Sequence, residues 1–453
     1  MKALKPAIFI PSLYFLEGLP YALVVYSSVV FYKNLGESLE FIGHMTSLFY
    51  LPWVLKFAWA PMVDLLGTKR SWIVTIQVLL AALCLVFALA INFPDSQFVI
   101  ALSSWLMPIV SAFQNAVSHL SGSGQPPAAS SHLVVYFTLV CFSLMALASA
   151  TQDVSIDGYY LEVLDKQQQS YFVGVRNAVY KVAILFGQSL LVAMVGLLEK
   201  HAAMPITKGW AIAFALCGAI CLLAALLHFL GLPQSNRVQS EHESENKASL
   251  QTFFTIFRTF FDQEKIGWIV LYILIFRLGD AFVLKMAYPF LLDDPAKGGL
   301  GYGNDLLGLI SGVGIGFLLL GGIVGGIVVS KLGLKRTLMP TAIFQNLSIL
   351  LYFFLAQFRP GIYVVGIFNA IEQFGYGLGT AAYTVFLLST VKSQYKAGHY
   401  AIATALMALG IMLPGYFSGD LAHTLGYKTF FFVSFLAAIP GMITILLLPL
   451  SDN

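Results

Sequence analysis

Twelve apolar stretches, each long enough to cross about 30 Å of hydrocarbon, fill most of this chain and fall into two sets of six. The first set lies near residues 7–32, 40–63, 71–93, 133–157, 170–197 and 209–231. The second lies near 266–292, 305–330, 337–357, 361–390, 398–422 and 427–449. Hydrocarbon offers a backbone no water to bond with, so a span of this length is a helix that satisfies its own N–H and C=O groups. The expected fold class is an all-α membrane protein with 12 transmembrane helices in two six-helix pseudo-repeats. Composition agrees, with 58% hydrophobic and only 10% charged residues, where soluble domains carry about a quarter charged. A formal net charge of +3 gives nucleic acid no footing as a partner. The expected partners are membrane lipid and a small-molecule substrate, with the chain acting as a monomer. Cys84, Cys141, Cys217 and Cys221 all sit in apolar runs without metal-ligand spacing and read as buried or lipid-facing thiols.

The two sets define an N-terminal bundle over 1–233, a cytoplasmic linker over 234–265 and a C-terminal bundle over 266–453. The linker opens with the polar run "QSNRVQSEHESENKAS" and closes with "LQTFFTIFRTFFDQEK", whose Leu250, Phe253, Phe254, Phe257, Phe260 and Phe261 recur at helical spacing. That second part is expected to lie along the membrane interface. Lys2 and Lys5 lead directly into an apolar run without a small-residue cleavage site, so the first helix is expected to be retained. With the N-terminus inside, cytoplasmic segments hold about 14 Lys or Arg against about 6 outside, as the positive-inside rule requires. Counting residues 98–120 as a further crossing would reverse every later loop and leave about 9 inside against about 11 outside. The insert at 94–132 therefore reads as a short helix on the outer face, and both termini are cytoplasmic. Cysteines placed at Ser244 and Ser393 are expected to label only from the cytoplasm, and one at Ser123 only from outside. Labelling of Ser123 from the inside overturns this topology.

The halves repeat. "WAPMVDLLGTKR" follows the second stretch and "GGIVVSKLGLKR" the eighth, so Gly67 precedes Lys69 and Arg70 as Gly333 precedes Lys335 and Arg336. Glycine permits a tight turn, a basic pair anchors at an anionic leaflet, and Asp64 is placed to meet a helix N-terminus in a closed gate. The first copy resembles the loop motif of the major facilitator superfamily. The second departs from it, with Lys331 in the area where an acid is expected.

Counting about 1.5 Å per residue from each span's start puts Glu17, Lys181, Arg277, Asp280 and Glu372 near the bilayer midplane. Each costs about 2.5 to 3.5 kcal/mol on insertion scales, so they are expected to converge on an internal, watered cavity. A fixed ion pair between helices is the alternative, and Arg277 with Asp280, three residues apart, is its clearest candidate. Lys285 reads as another structural partner or as a residue of the outer rim, and Lys56 is placed to snorkel inward. Asp153 and Asp157 lie about 30 Å along their span, at its cytoplasmic mouth. Their four-residue spacing puts both on one helical face, an arrangement suited to reversible protonation, with Arg176 as counter-charge. A solvated helix end with ordinary surface acids is the competing reading.

"TQDVSIDGYYLEVL" at 151–164, with Gln152 beside the acids, resembles the fourth-helix signature of AmpG-type muropeptide permeases and their acetyl-coenzyme-A transporter relatives. So do "EGLPYAL" at 17–23, "LPWVLKFAWAPMVD" at 51–64 and "EQFGYGLGTAAYTVFLLS" at 372–389, which includes Gln373. The resemblance implies a bacterial inner-membrane carrier that moves an amino-sugar peptide from cell-wall turnover inward, using the proton gradient and no cofactor. It departs from the pattern at Tyr159 and Tyr160, where a more polar run with an arginine is usual, and at Lys181, where an arginine is usual. An anionic cargo of this kind needs cationic docking groups, which Lys181 and Arg277 could supply. Tyr14, Tyr21, Tyr376 and Tyr383 are either faces for a sugar ring or packing residues. Acetyl-coenzyme A and small peptides remain alternative cargoes.

An intramembrane acyltransferase would need a convergent nucleophile or His–acid set, but His44, His228, His399 and His423 are scattered. There is no GxxxxGK[ST] run for an ATP-driven pump. A secondary transporter accounts for the repeat, the buried charges and the short loops together.

Overall fold

The computed structural model of the protein describes residues 4–97, 100–101, 104, 108, 133–234, 250–391 and 396–450, a few of them, Asp64 included, by backbone alone. The expected helix in the 94–132 insert, most of the polar linker, and Ser123, Ser244 and Ser393 lie outside the described residues. Two compact units result: Met1–Glu241 with Asn304–Gly308, and His242–Gly303 with Leu309–Asn453.

The first unit contains α1 (Pro6–Ala22), α2 (Ser28–Asn34), α3 (Leu39–Leu48), α4 (Leu51–Leu55), α5 (Ala60–Leu65), α6 (Lys69–Asn92), α7 (Leu133–Val163), α8 (Lys166–Leu185), α9 (Leu191–Ala202) and α10 (Ile206–Gly231). Pro6 stands in the first turn of α1, where an N–H would lack an intrahelical acceptor anyway. Pro20 cannot donate to the Leu16 carbonyl four residues back, and three residues later the helix widens into a π turn, Leu23–Ser27. A second π turn, Phe186–Leu190, joins α8 to α9 and meets the first. Ser27 Oγ donates to the Gly187 carbonyl at 3.0 Å, and a Cβ on Gly187 would sit 2.6 Å from that of Ala22, so the two wide turns cross nearly backbone to backbone. Away from the crossing, Phe87 stacks on Phe214 with centroids 3.9 Å apart, against Phe31, Phe142 and Trp210.

The turn between α5 and α6 obeys local chemistry. Gly67 has φ 85°, a conformation that costs a side-chain-bearing residue dearly, and Thr68 caps α6 by accepting from Ser71 N–H at 3.1 Å. In the second unit Gly333 has φ 81° at the matching place. The paired "GTKR" and "GLKR" sequences thus share one backbone device.

The second unit holds α11 (Leu250–Phe261), α12 (Ile266–Ile275), α13 (Leu278–Leu292), α14 (Asn304–Leu332) from Leu309 onward, α15 (Leu334–Ser348), α16 (Leu350–Phe358), α17 (Ile362–Ser389) and α18 (Lys396–Ile445). The linker helix α11 inserts Phe260 into a core with Ile269, Tyr272, Leu338 and Phe386, and Thr259 shares a 3.0 Å hydrogen bond with His399 Nε2. Between α14 and α17, a Cβ on Gly325 would lie 2.6 Å from the Leu378 carbonyl, which lets the two backbones touch.

Among the described residues, nine helices are long and apolar enough to cross a membrane. The stretch near 40–63 is broken into α3, α4 and α5, with Pro52 and Pro61 opening the latter two. The continuous α17 is less apolar because it carries Asn369, Glu372 and Gln373. The stretches 398–422 and 427–449 run together as α18, which turns at Gly426 with φ 70°. All four cysteines are free and buried.

Candidate functional site

In the first unit, α7 presents Asp153 and Asp157 toward α1, α8 and the broken helix. Asp153 forms an ion pair with Lys56, which stands on a 3-10 turn, Lys56–Ala58, between α4 and α5. Asp157 Oδ1 accepts from Arg176 Nη1 at 3.2 Å and from the Tyr14 hydroxyl at 2.9 Å. Glu17, one turn along α1 from Tyr14, is 8% exposed, and its Oε2 is buried without a partner. Exposure falls from 47% of the Asp157 side chain to 17% of that of Asp153 and 8% for Glu17. The three acids form a graded row leading inward.

Three carboxylates therefore meet two cations, an excess of one negative charge. An uncompensated charge away from water is costly. Gln152, beside these acids, has a separate task that follows from Pro20: its Nε2 donates at 2.7 Å to the Leu16 carbonyl that the proline leaves unserved.

In the second unit, the helix is interrupted at Phe276 and Arg277 between α12 and α13, where Arg277 takes φ −92°, ψ 13°. Its Nη1 donates to the Tyr376 hydroxyl at 2.5 Å and its Nη2 to Thr380 Oγ1 at 2.9 Å, both on α17. Asp280 accepts from Gln345 Nε2 on α15. Glu372 accepts from Gln373 Nε2 at 2.9 Å. Arg277, Asp280 and Glu372 are 4%, 5% and 4% exposed. The alternative of an Arg277–Asp280 ion pair gives way to these contacts. Arg277 precedes α13 in a non-helical conformation, so one-turn helical spacing no longer aims it at Asp280.

The two arginines are held alike. Arg176 lies 5.1 and 5.2 Å from the ring centres of Tyr14 and Tyr160, and Arg277 lies 5.0 and 5.1 Å from those of Tyr376 and Tyr383. Such cation–π contacts contribute about 0.5–2 kcal/mol and fix the plane of the guanidinium. Tyr14, Tyr376 and Tyr383 are thus committed to arginine, which leaves Tyr21 as the sugar-facing candidate of the four. Its ring centre lies 5.1 Å from Trp53 and 6.1, 6.4 and 6.2 Å from Tyr26, Tyr50 and Tyr180.

Lys181 is half-buried on α8, five residues past Arg176. Lys69 is buried with its stem against Gly158, where a Cβ would come within 2.8 Å of Lys69 Cε. Arg70 donates to the Phe229 carbonyl at 2.5 Å. Asp157 is paired with Arg176, the expected counter-charge, and Asp153 with Lys56. Lys335 and Arg336 are exposed, and the Asp64 side chain lies outside the described residues. Sequence reasoning missed Tyr160, Thr380 and Gln345 and gave Lys56 only a snorkelling role. The signal for Lys56 was present, since a cation between Pro52 and Pro61 sits where the helix cannot stay regular.

A sequence profile described as the Major Facilitator Superfamily matches residues 12–413. The chain is 25% identical over 442 residues to the anhydromuropeptide permease of Escherichia coli strain K12, covering 95% of this chain and 77% of that protein. It is 26% identical over 448 residues to an uncharacterized protein of Haemophilus influenzae, covering 95% and 91%. In fold it is similar to a crystal structure of the nucleoside transporter NupG in a point-mutant form, with a TM-score of 0.69, 12% identity and 98% and 99% of the two chains covered.

Proposed function

The chain belongs to the Major Facilitator Superfamily, and we propose that it is a proton-coupled importer of cell-wall-derived muropeptides working by alternating access. It is an integral membrane transporter, and its family and fold neighbours are transporters rather than enzymes. The row of Glu17, Asp153 and Asp157 against Lys56 and Arg176 carries the coupling half of this reading: one surplus carboxylate makes room for one proton. The similarity to an anhydromuropeptide permease over nearly the whole chain supports the cargo half. On this reading Lys181 docks the cargo's anionic group and the Tyr21 cluster faces its sugar rings in the first unit, Arg277 is a docking group of the second unit, and the turns Gly67–Arg70 and Gly333–Arg336 are each gating segments of their own unit. Twelve crossings, cytoplasmic termini and the bacterial inner membrane complete the proposal.

The test is uptake in proteoliposomes with an imposed pH gradient, comparing anhydro-muropeptides, acetyl-coenzyme A and small peptides. Gradient-dependent accumulation of anhydro-muropeptide alone is the expected result, and accumulation of another member of the panel in its place overturns the cargo. Arg277→Lys provides a sharper check. Lysine keeps the charge but cannot hold Tyr376 and Thr380 with one planar group, so uptake is expected to fall about tenfold or more at normal membrane insertion. Wild-type uptake by that variant would remove Arg277 from the docking site.

A further inference from the structure

We propose that the interruption between α12 and α13 is a recognition subsite for a secondary amide of the cargo, with Asp280 accepting its N–H and Arg277 donating to its C=O. The proposal rests on the muropeptide reading and names the group that this part of the protein selects. Every polar atom but one on each residue is engaged: Arg277 through Nη1 and Nη2 to Tyr376 and Thr380, Asp280 through Oδ2 to Gln345. The remaining atoms, Arg277 Nε and Asp280 Oδ1, are buried without a partner. One is a donor and the other an acceptor, three residues apart at a point where the helix is open. Gln345 Oε1 is a further unpartnered acceptor beside Asp280. Buried polar atoms are almost always bonded, so a donor and acceptors left over on residues this close in the chain and in contact call for a ligand that both donates and accepts.

Charge narrows the choice. A carboxylate offered to Arg277 is repelled by Asp280, and an ammonium offered to Asp280 is repelled by Arg277. A neutral amide presents both polarities on adjacent atoms and meets neither penalty. Gln345 is the positioning residue: its bond to Oδ2 leaves Oδ1 as the open acceptor. Its own carboxamide lies against Gly379, where any Cβ would collide with Oε1, so the bare backbone of α17 at that point is what admits it.

The experiment measures uptake of an anhydro-muropeptide and of two analogues, one N-deacetylated on its sugars and one N-methylated at its first peptide amide. Wild type is compared with Asp280→Ala, Gln345→Leu and Gly379→Ala. Wild type is expected to lose about ten- to a hundredfold in apparent affinity for one analogue, the usual effect of removing a hydrogen bond to a charged group. The three variants should lose as much for the parent compound and then handle parent and analogue alike. A variant that is merely less stable lowers uptake of all compounds together and leaves their ratio unchanged. Equal handling of all three compounds by wild type, or an unchanged ratio in the variants, overturns the subsite and leaves the cargo reading standing. Absence of muropeptide uptake by wild type overturns the cargo reading and takes the subsite with it.

Discussion

Glu17→Gln, or its counterpart Glu372→Gln in the second unit, is expected to abolish accumulation of substrate driven by a pH gradient while sparing its passive counterflow. The expectation follows from position and chemistry together. Glu17 is the most buried of the three acids in its cluster, and its Oε2 has no partner. Glutamine keeps the shape and the donor of a protonated glutamate. It also removes the surplus negative charge, so the cluster is satisfied permanently and takes no proton from either side. A carrier in that condition binds and exchanges substrate but cannot couple it to the gradient. Glu372→Gln is the companion experiment in the second unit, where Gln373 already serves one carboxylate oxygen. At least one of the two variants is expected to show the uncoupled pattern. Normal gradient-driven accumulation by both excludes these acids as the coupling site.

Neutralising the pair on α7 is expected to stall the cycle by a different route. The Arg176–Asp157 pair leaves 29% and 47% of its side chains exposed, and pairs of that kind contribute about 0.2–1 kcal/mol. An interaction this weak can be broken and remade during a conformational cycle. Shifting an alternating-access equilibrium by about 1.4 kcal/mol changes the ratio of its states about tenfold. Asp157→Asn should therefore insert normally, lose most transport, and alter the accessibility of a reporter cysteine in the cytoplasmic half of the same unit. Asp153→Asn is expected to be more severe, because it strands Lys56 in a partly buried site without its partner. Adding Lys56→Met to Asp153→Asn should then restore insertion without restoring transport. Wild-type uptake and reporter accessibility in both single variants would favour the alternative, an ordinary solvated helix end. Recovery of transport in the double variant would show that the pair is only structural.

What could be read from the sequence shares one property: it depends on neighbours along the chain. Membrane-length apolar runs imply helices because the backbone must satisfy itself in hydrocarbon. Gly67 and Gly333, two residues ahead of a basic pair, mark turns that need positive φ, and both have it. The four-residue spacing of Asp153 and Asp157 places them on one face wherever that face points. Pro52 and Pro61 foretell a helix that cannot run unbroken.

Partnership was beyond it, because it depends on how each helix is turned about its own axis once packed. Lys56 reaches Asp153 across 97 residues, and Arg277 reaches Thr380 across 103. Gln152 is in place for the carbonyl released by Pro20 only because α7 crosses α1 at that height. Arg277 and Asp280 show the limit most plainly. Their spacing allowed an ion pair on a regular helix, and a break of two residues sent one to the tyrosines of α17 and the other to Gln345. By itself the sequence determined the membrane helices, their turns and the charges they carry. The tertiary structure alone decided which charges meet, since a few degrees of helix rotation or one interrupted turn exceeds the reach of a side chain.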